Sequence, residues 1–103
     1  IYFRNNVWWW RPLWDYVCSI CDDFIDEARW DNGHSNNGES FTDEEAKMIA
    51  VRLLREIKNN DTEAYERLYE IKTEGDKYQY PFSVDNVRNF AEFCKDSGGF
   101  SIQ

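Results

Sequence analysis

Pro12-Leu13-Trp14-Asp15-Tyr16-Val17-Cys18-Ser19-Ile20-Cys21-Asp22-Asp23-Phe24-Ile25-Asp26-Glu27-Ala28-Arg29 is the stretch that sets the fold class. Leu13, Val17, Ile20, Phe24 and Ala28 recur at helical spacing, and Trp14, Cys21 and Ile25 widen the apolar stripe. Asp15, Asp22, Asp23 and Asp26 fall mostly on the opposite, wet face. Proline suits the first helical position, where no backbone N–H is needed. The spacing therefore predicts a helix over 12–29.

Before it, residues 1–11 are rich in β-branched and aromatic side chains, which favour extended structure. Pro12 also disfavours helical geometry at Arg11. An extended aromatic segment is expected there.

After it, residues 31–40 collect Asp, Asn, Gly and Ser, the residues of turns. A loop of this length between helices is often functional. Thr42-Asp43-Glu44-Glu45 is a capping box. Ala46, Ile49, Ala50, Leu53, Leu54 and Ile57 then line one face of a second helix, about 43–59. Asn59, Asn60 and Asp61 punctuate the chain before a third helix at about 62–72, with Ala64, Tyr65, Leu68 and Tyr69. Residues 73–82 form a second loop in which Tyr78, Tyr80 and Phe82 alternate, allowing a short pairing with the N-terminal segment. Ser83 caps a fourth helix whose buried side is Val84, Val87, Phe90, Ala91 and Cys94, and Ser97-Gly98-Gly99 stops it. The expected fold is all-α, a compact single domain over 1–103: about four helices, an aromatic N-terminal segment across them, and at most a minimal two-stranded pairing.

The charge is -8, spread along the chain with no basic patch. That argues against sequence-independent binding to DNA or RNA, which needs many cationic contacts to phosphate. No run approaches the ~18 apolar residues that would span a bilayer. Cys18, Cys21 and Cys94 cannot all pair within one chain. With no visible secretory signal, a cytoplasmic location is the expectation.

Aromatic content is 17%, and it is concentrated. Trp8, Trp9, Trp10 and Trp14 fall within seven residues. Such rings either fill the core or offer flat faces that stack on planar ligands. Arg4 and Arg11 add forks for phosphate or carboxylate, and Asn5 and Asn6 can read hydroxyls or base edges. His34, the one histidine, lies near Asn37 in the 31–38 loop. These parts suit a nucleotide-like ligand, with Trp8, Trp10 and Trp14 stacking. Arg4 and Arg11 would hold anionic groups, and Asn5, Asn6, His34 and Asn37 would set specificity.

Cys18-Ser19-Ile20-Cys21 has the spacing of two zinc ligands and could recruit His34 and Cys94. Its place in mid-helix reads better as core, so no metal and no cofactor is expected. Asp22 with Asp26, and Asp23 with Glu27, sit one helical turn apart and read as solvated charge. No phosphate-binding glycine loop, G-x-S-x-G or H-E-x-x-H is present, so no catalytic residue is assigned.

The run from Phe3 to Trp14, the loop from Gly33 to Gly38 and the ending from Phe93 to Phe100 resemble small proteins of phages and prophages. The resemblance assigns no catalytic or binding residue. It implies action in a bacterial cytosol, where small phage proteins often bind and neutralise host components. The leading expectation is a non-enzymatic binding protein that sequesters a small nucleotide-like ligand, such as a host-defence signal. The alternative is an acidic inhibitor or adaptor acting on a host protein. A small hydrolase or metal-dependent enzyme using His34 is a third reading. A homo-oligomer would bury surface that one short chain cannot.

Overall fold

The computed structural model describes residues 3, 5–35, 37–76 and 80–102. Among them are five helices and two short strands: α1 (Val7–Ile20), α2 (Glu27–Ser35), β1 (Glu39–Phe41), α3 (Asp43–Lys58), α4 (Asp61–Thr73), α5 (Val84–Asp96) and β2 (Phe100–Ile102). The chain is thus mostly helical with one small antiparallel pair, Glu39 opposite Ile102 and Phe41 opposite Phe100. No helix among the described residues is long and apolar enough to cross a membrane.

The core forms where α3 lies against α5. Ala46, Ile49, Ala50 and Leu53 are buried on one, and Val87, Phe90, Ala91 and Cys94 on the other. The small Ala46, Ala50 and Ala91 leave room for the large rings. Leu13, Trp14, Tyr16 and Val17 of α1 close a further side. The Cα radius of gyration, 13.1 Å, is what a compact chain of about 100 residues has.

The aromatic N-terminal segment packs on this core through Phe3, 5.1 Å from Phe90, and Trp10, 5.6 Å from Phe90. It is not extended throughout, however: from Val7 it is helical, and Pro12 is the sixth helical residue instead of the first. Two interactions outweigh the local preferences. The Asn6 side chain caps the helix by accepting the Trp9 N–H at 3.1 Å. Trp10 stacks on Trp14 with ring centroids 5.4 Å apart, a contact that needs helical i, i+4 spacing. The cost is one helical hydrogen bond, the one Pro12 cannot donate to the Trp8 carbonyl. The extended reading of residues 1, 2 and 4 lies outside the described residues.

The predicted helix over 12–29 is two helices. The chain turns over Cys21–Phe24, with the Phe24 and Ile25 N–H groups both donating to the Cys21 carbonyl. Asp26 then restarts a helix, its carboxylate accepting the Arg29 N–H at 2.9 Å. Cys21 and Ile25 stay buried, but Ala28 is exposed. The predicted loop over 31–40 is correspondingly shorter, since α2 runs to Ser35 and β1 begins at Glu39.

The two-stranded pairing also has different members. Tyr80 and Phe82 are not in a strand, and residues 77–79 lie outside the described residues. β1 pairs instead with β2, just after the α5 stop. Gly98 and Gly99 make that return with φ of 72° and 108°. A Cβ on Gly99 would meet the Phe41 carbonyl oxygen at 2.8 Å, so the close approach here serves the chain's own strand.

Candidate functional site

Trp8, Arg11 and Asp15 occupy positions i, i+3 and i+7 of α1 and so share one face, spanning about 10 Å. At the first end Trp8 keeps 46% of its surface exposed. Its ring lies 4.8 Å from that of Tyr80, and the Arg11 guanidinium carbon lies 5.9 Å from the Tyr80 ring. Tyr80 is held by Tyr69, whose hydroxyl donates to the Tyr80 carbonyl. Burial, assisted by the neighbouring Tyr65 and Asp15, pushes the Tyr69 phenol above its ordinary range, so it remains a donor. Val7 and Trp9 are exposed beside Trp8, at 49% and 37%.

At the other end one oxygen of Asp15 serves two partners on α2. The Trp30 Nε1 donates to Oδ1 at 2.8 Å, and His34 Nε2 lies 2.7 Å from the same atom. Trp30 stands edge-on to His34 at 4.8 Å and stays 38% exposed. The His34 Nδ1 is buried without a hydrogen-bond partner. With Nε2 engaged by Asp15 and Nδ1 enclosed, the ring is set to position α2. No hydroxyl or thiol among the described residues bonds to it, so there is no nucleophile–histidine pair of the kind acyl transfer uses.

The other residues expected in a site are distributed differently. Trp14 is fully buried and its Nε1 donates to the Trp30 carbonyl at 3.0 Å. Trp10 is half-buried and donates to the Gly33 carbonyl at 3.0 Å. Both indoles join α1 to α2 and fill the interior. Asn5 and Asn86 exchange side-chain hydrogen bonds of 3.0 and 2.9 Å, tying the N-terminus to α5. Asn6 is the α1 cap. Asn37 is exposed beyond the end of α2, its backbone N–H donating to the Asn32 carbonyl. Arg4 lies outside the described residues. Of the expected set, Trp8 and Arg11 come together, and His34 joins the same face through Asp15. Asp15, Trp30 and Tyr80 complete that face, while Trp9, one residue from Trp8, is exposed on an adjoining side of α1. The i, i+3, i+7 spacing of Trp8, Arg11 and Asp15 was the available signal, and it is read only once α1 starts at Val7.

The cysteines are interior groups. Burial pushes the Cys18 and Cys94 thiols far up and the Cys21 thiol up to about 11. Unreactive thiols in apolar surroundings fit a packing role. Among the described residues no three His, Cys, Asp or Glu side chains gather in a way that could hold a metal ion.

Arg29 makes the most connected polar centre, though nothing in its spacing announces it. Its guanidinium donates to Glu39, to both oxygens of Glu45, and to the Phe24 and Ser40 carbonyls. It lies 4.1 Å from the Phe41 ring. Hydrogen bonding to Arg29 holds the Glu45 carboxyl below its usual range. This is the clamp that fixes α2 to β1 and α3.

Comparison with protein-family models, with curated proteins and with solved structures finds no match.

Proposed function

We propose that this chain is a non-enzymatic binding protein of phage type that docks on a host protein, as an inhibitor or adaptor, in a bacterial cytosol. The observation that carries this reading is the half-exposed Trp8, flanked by Trp9, Arg11 and Tyr80. Tryptophan, tyrosine and arginine are the residues that dominate protein interfaces, where a central anchor enters a partner's pocket. An exposed apolar cluster of this kind marks an interaction surface. The acidic balance fits a partner with a basic rim. Asp22, Asp26, Glu27 and Asp31 are all exposed near the α1–α2 turn, and long-range attraction would speed the encounter.

A small nucleotide-like ligand is the second reading, favoured by the tilted Trp8–Tyr80 pair with Arg11 beside it. Magnitudes rank it lower. Stacking gives about 1–3 kcal/mol per base, and one charge-assisted hydrogen bond about 1.5–3 kcal/mol. Their sum corresponds to roughly millimolar affinity. Sequestration needs enclosure of most of the ligand, and Trp10 and Trp14, which would have supplied it, are committed to the interior.

Capture from a bacterial lysate with the wild-type chain and with the Trp8→Ala/Trp9→Ala variant tests the proposal. A protein retained by the wild type, more strongly at low salt, and lost with the variant is expected. Equal retention by both, or by neither, overturns it. Trp fluorescence titrated with a nucleotide panel addresses the second reading, which requires a response abolished by Trp8→Ala.

A further inference from the structure

An asparagine followed by glycine occurs at Asn32–Gly33 and again at Asn37–Gly38, and as sequence the pairs are equivalent. In the fold they are not. We propose that Asn37–Gly38 is a site of slow self-modification, in which the Asn37 amide becomes an acid through a cyclic imide. The hydrogen bond from Gly38 to Ile102 gates the reaction, and the fold protects Asn32–Gly33 from it.

Water is the only co-reactant. The Gly38 amide nitrogen attacks the Asn37 Cγ, and an N–Cγ bond forms. The bond from Cγ to its amide nitrogen breaks, and ammonia leaves with the proton that the Gly38 nitrogen gave up. Water then opens the five-membered imide. Cleavage at Cγ gives aspartate. Cleavage at the main-chain carbonyl gives isoaspartate, whose backbone runs on through Cβ and Cγ. No atom changes oxidation state. Glycine favours the attack because no Cβ crowds its nitrogen.

Geometry separates the two pairs. Asn37 is exposed and lies between α2 and β1, in neither element. Among the described residues its side chain has no hydrogen-bond partner. Gly38 has a φ of 79°, and a Cβ built on it would meet nothing within 4 Å, so the space beside the reacting nitrogen is open. One bond restrains that nitrogen: the Gly38 N–H donates to the Ile102 carbonyl at 2.7 Å. It closes the end of a strand pair only three residues long, and bonds at such ends open at little cost. Asn32–Gly33, by contrast, lies within α2. The Asn32 amide donates to Glu39 at 3.0 Å, and Gly33 is buried against Trp14. Ring closure there would require Asn32 to leave helical dihedrals and give up that contact.

Conversion puts a negative charge directly before β1. Isoaspartate also inserts one carbon into the main chain ahead of Gly38, which takes its N–H out of register with Ile102. Glu39 follows, and it holds both Arg29 and Asn32. The converted chain should therefore unfold at lower urea than the fresh one.

Peptide mapping by mass spectrometry, after incubation in mildly alkaline buffer, is the test. In the native protein the amide-to-acid mass gain should accumulate at Asn37 at least ~10-fold faster than at Asn32. In denaturing urea the Asn37 rate should rise and the two rates should converge. Enzymatic methylation specific for isoaspartate should label the aged wild type and spare Asn37→Gln, whose longer side chain closes a ring far more slowly. Equal native rates at the two pairs overturn the proposal, as does a native Asn37 that stays intact while urea converts it. An Asn37 rate that urea leaves unchanged overturns the gate at Ile102.

Discussion

All five N–H groups of Arg29 have acceptors, drawn from α3, β1 and the turn before α2. A planar guanidinium presents that fork in fixed geometry, and an ammonium does not. Arg29→Lys should therefore lower stability by about 2 kcal/mol, and Arg29→Ala by about 3 kcal/mol, since truncation leaves two carboxylates without their cation. Urea midpoints with an unchanged slope would measure this. The loss should be shared by Glu45→Gln, which removes the same pair from the other side. Nothing in the sequence singled out Arg29, because a cation after Asp26 and Glu27 looks like any wet-face charge until the chain turns. The tryptophans pose a related problem. Trp8 and Trp14 look alike as letters, yet one is half-exposed and the other fully buried. Their difference depends on which turn of α1 meets α2, and that is set by contacts from residues 15 to 23 positions away.

Among the elements, α3 and α5 were legible because their stripes, caps and stops agree, and α4 by its stripe alone, since Asn60 before it is left-handed and its side chain caps nothing. The Thr42–Glu45 box is formed, and Ser83 caps α5 by accepting the Asn86 N–H. The α1–α2 break was not legible, because the apolar periodicity from Leu13 to Ala28 runs straight across it. β1 and β2 are three residues each, too short for an alternating pattern to register. The seat of α2 on α1 gives the sharpest check on this region. Gly33 lies inside the last turn of α2, where alanine ordinarily gains up to about 1 kcal/mol. A Cβ there would meet the Trp14 indole nitrogen at 2.1 Å, and Trp14 is enclosed on all sides. Gly33→Ala should therefore destabilise by about 2 kcal/mol, since overpacking outweighs propensity. Thermal unfolding reads the sign directly. A gain in melting temperature would mean that α2 does not rest on Trp14.

At the scale of the whole molecule, acid should act in two opposite stages. Glu56 and Asp61 face each other where α3 gives way to α4, and the hydrogen bond to Asp61, then burial and its charge, raise the Glu56 carboxyl above 4.5. A carboxyl raised on folding binds protons more tightly in the native state, so acidification between its native value and 4.5 adds stability. Glu45 and Asp23 are shifted the other way, chiefly by hydrogen bonds from Arg29 and Arg52. Their contributions are complete above the ordinary carboxylate range and disappear as pH falls through their lowered native values. Stability should thus rise slightly from neutral pH toward 4.5 and fall below it. Easing of the general repulsion in a chain of charge -8 acts in the same direction as the first stage, so a variant must separate the two. Glu56→Gln should gain less than about 1 kcal/mol at neutral pH, the scale of a partly exposed pair. It should also flatten the rise while leaving the acid limb intact. Glu45→Gln should do the reverse, lowering neutral-pH stability and flattening the acid limb. Urea midpoints taken across this pH range for the three proteins decide it, and a wild-type rise that survives Glu56→Gln would trace the first stage to overall charge.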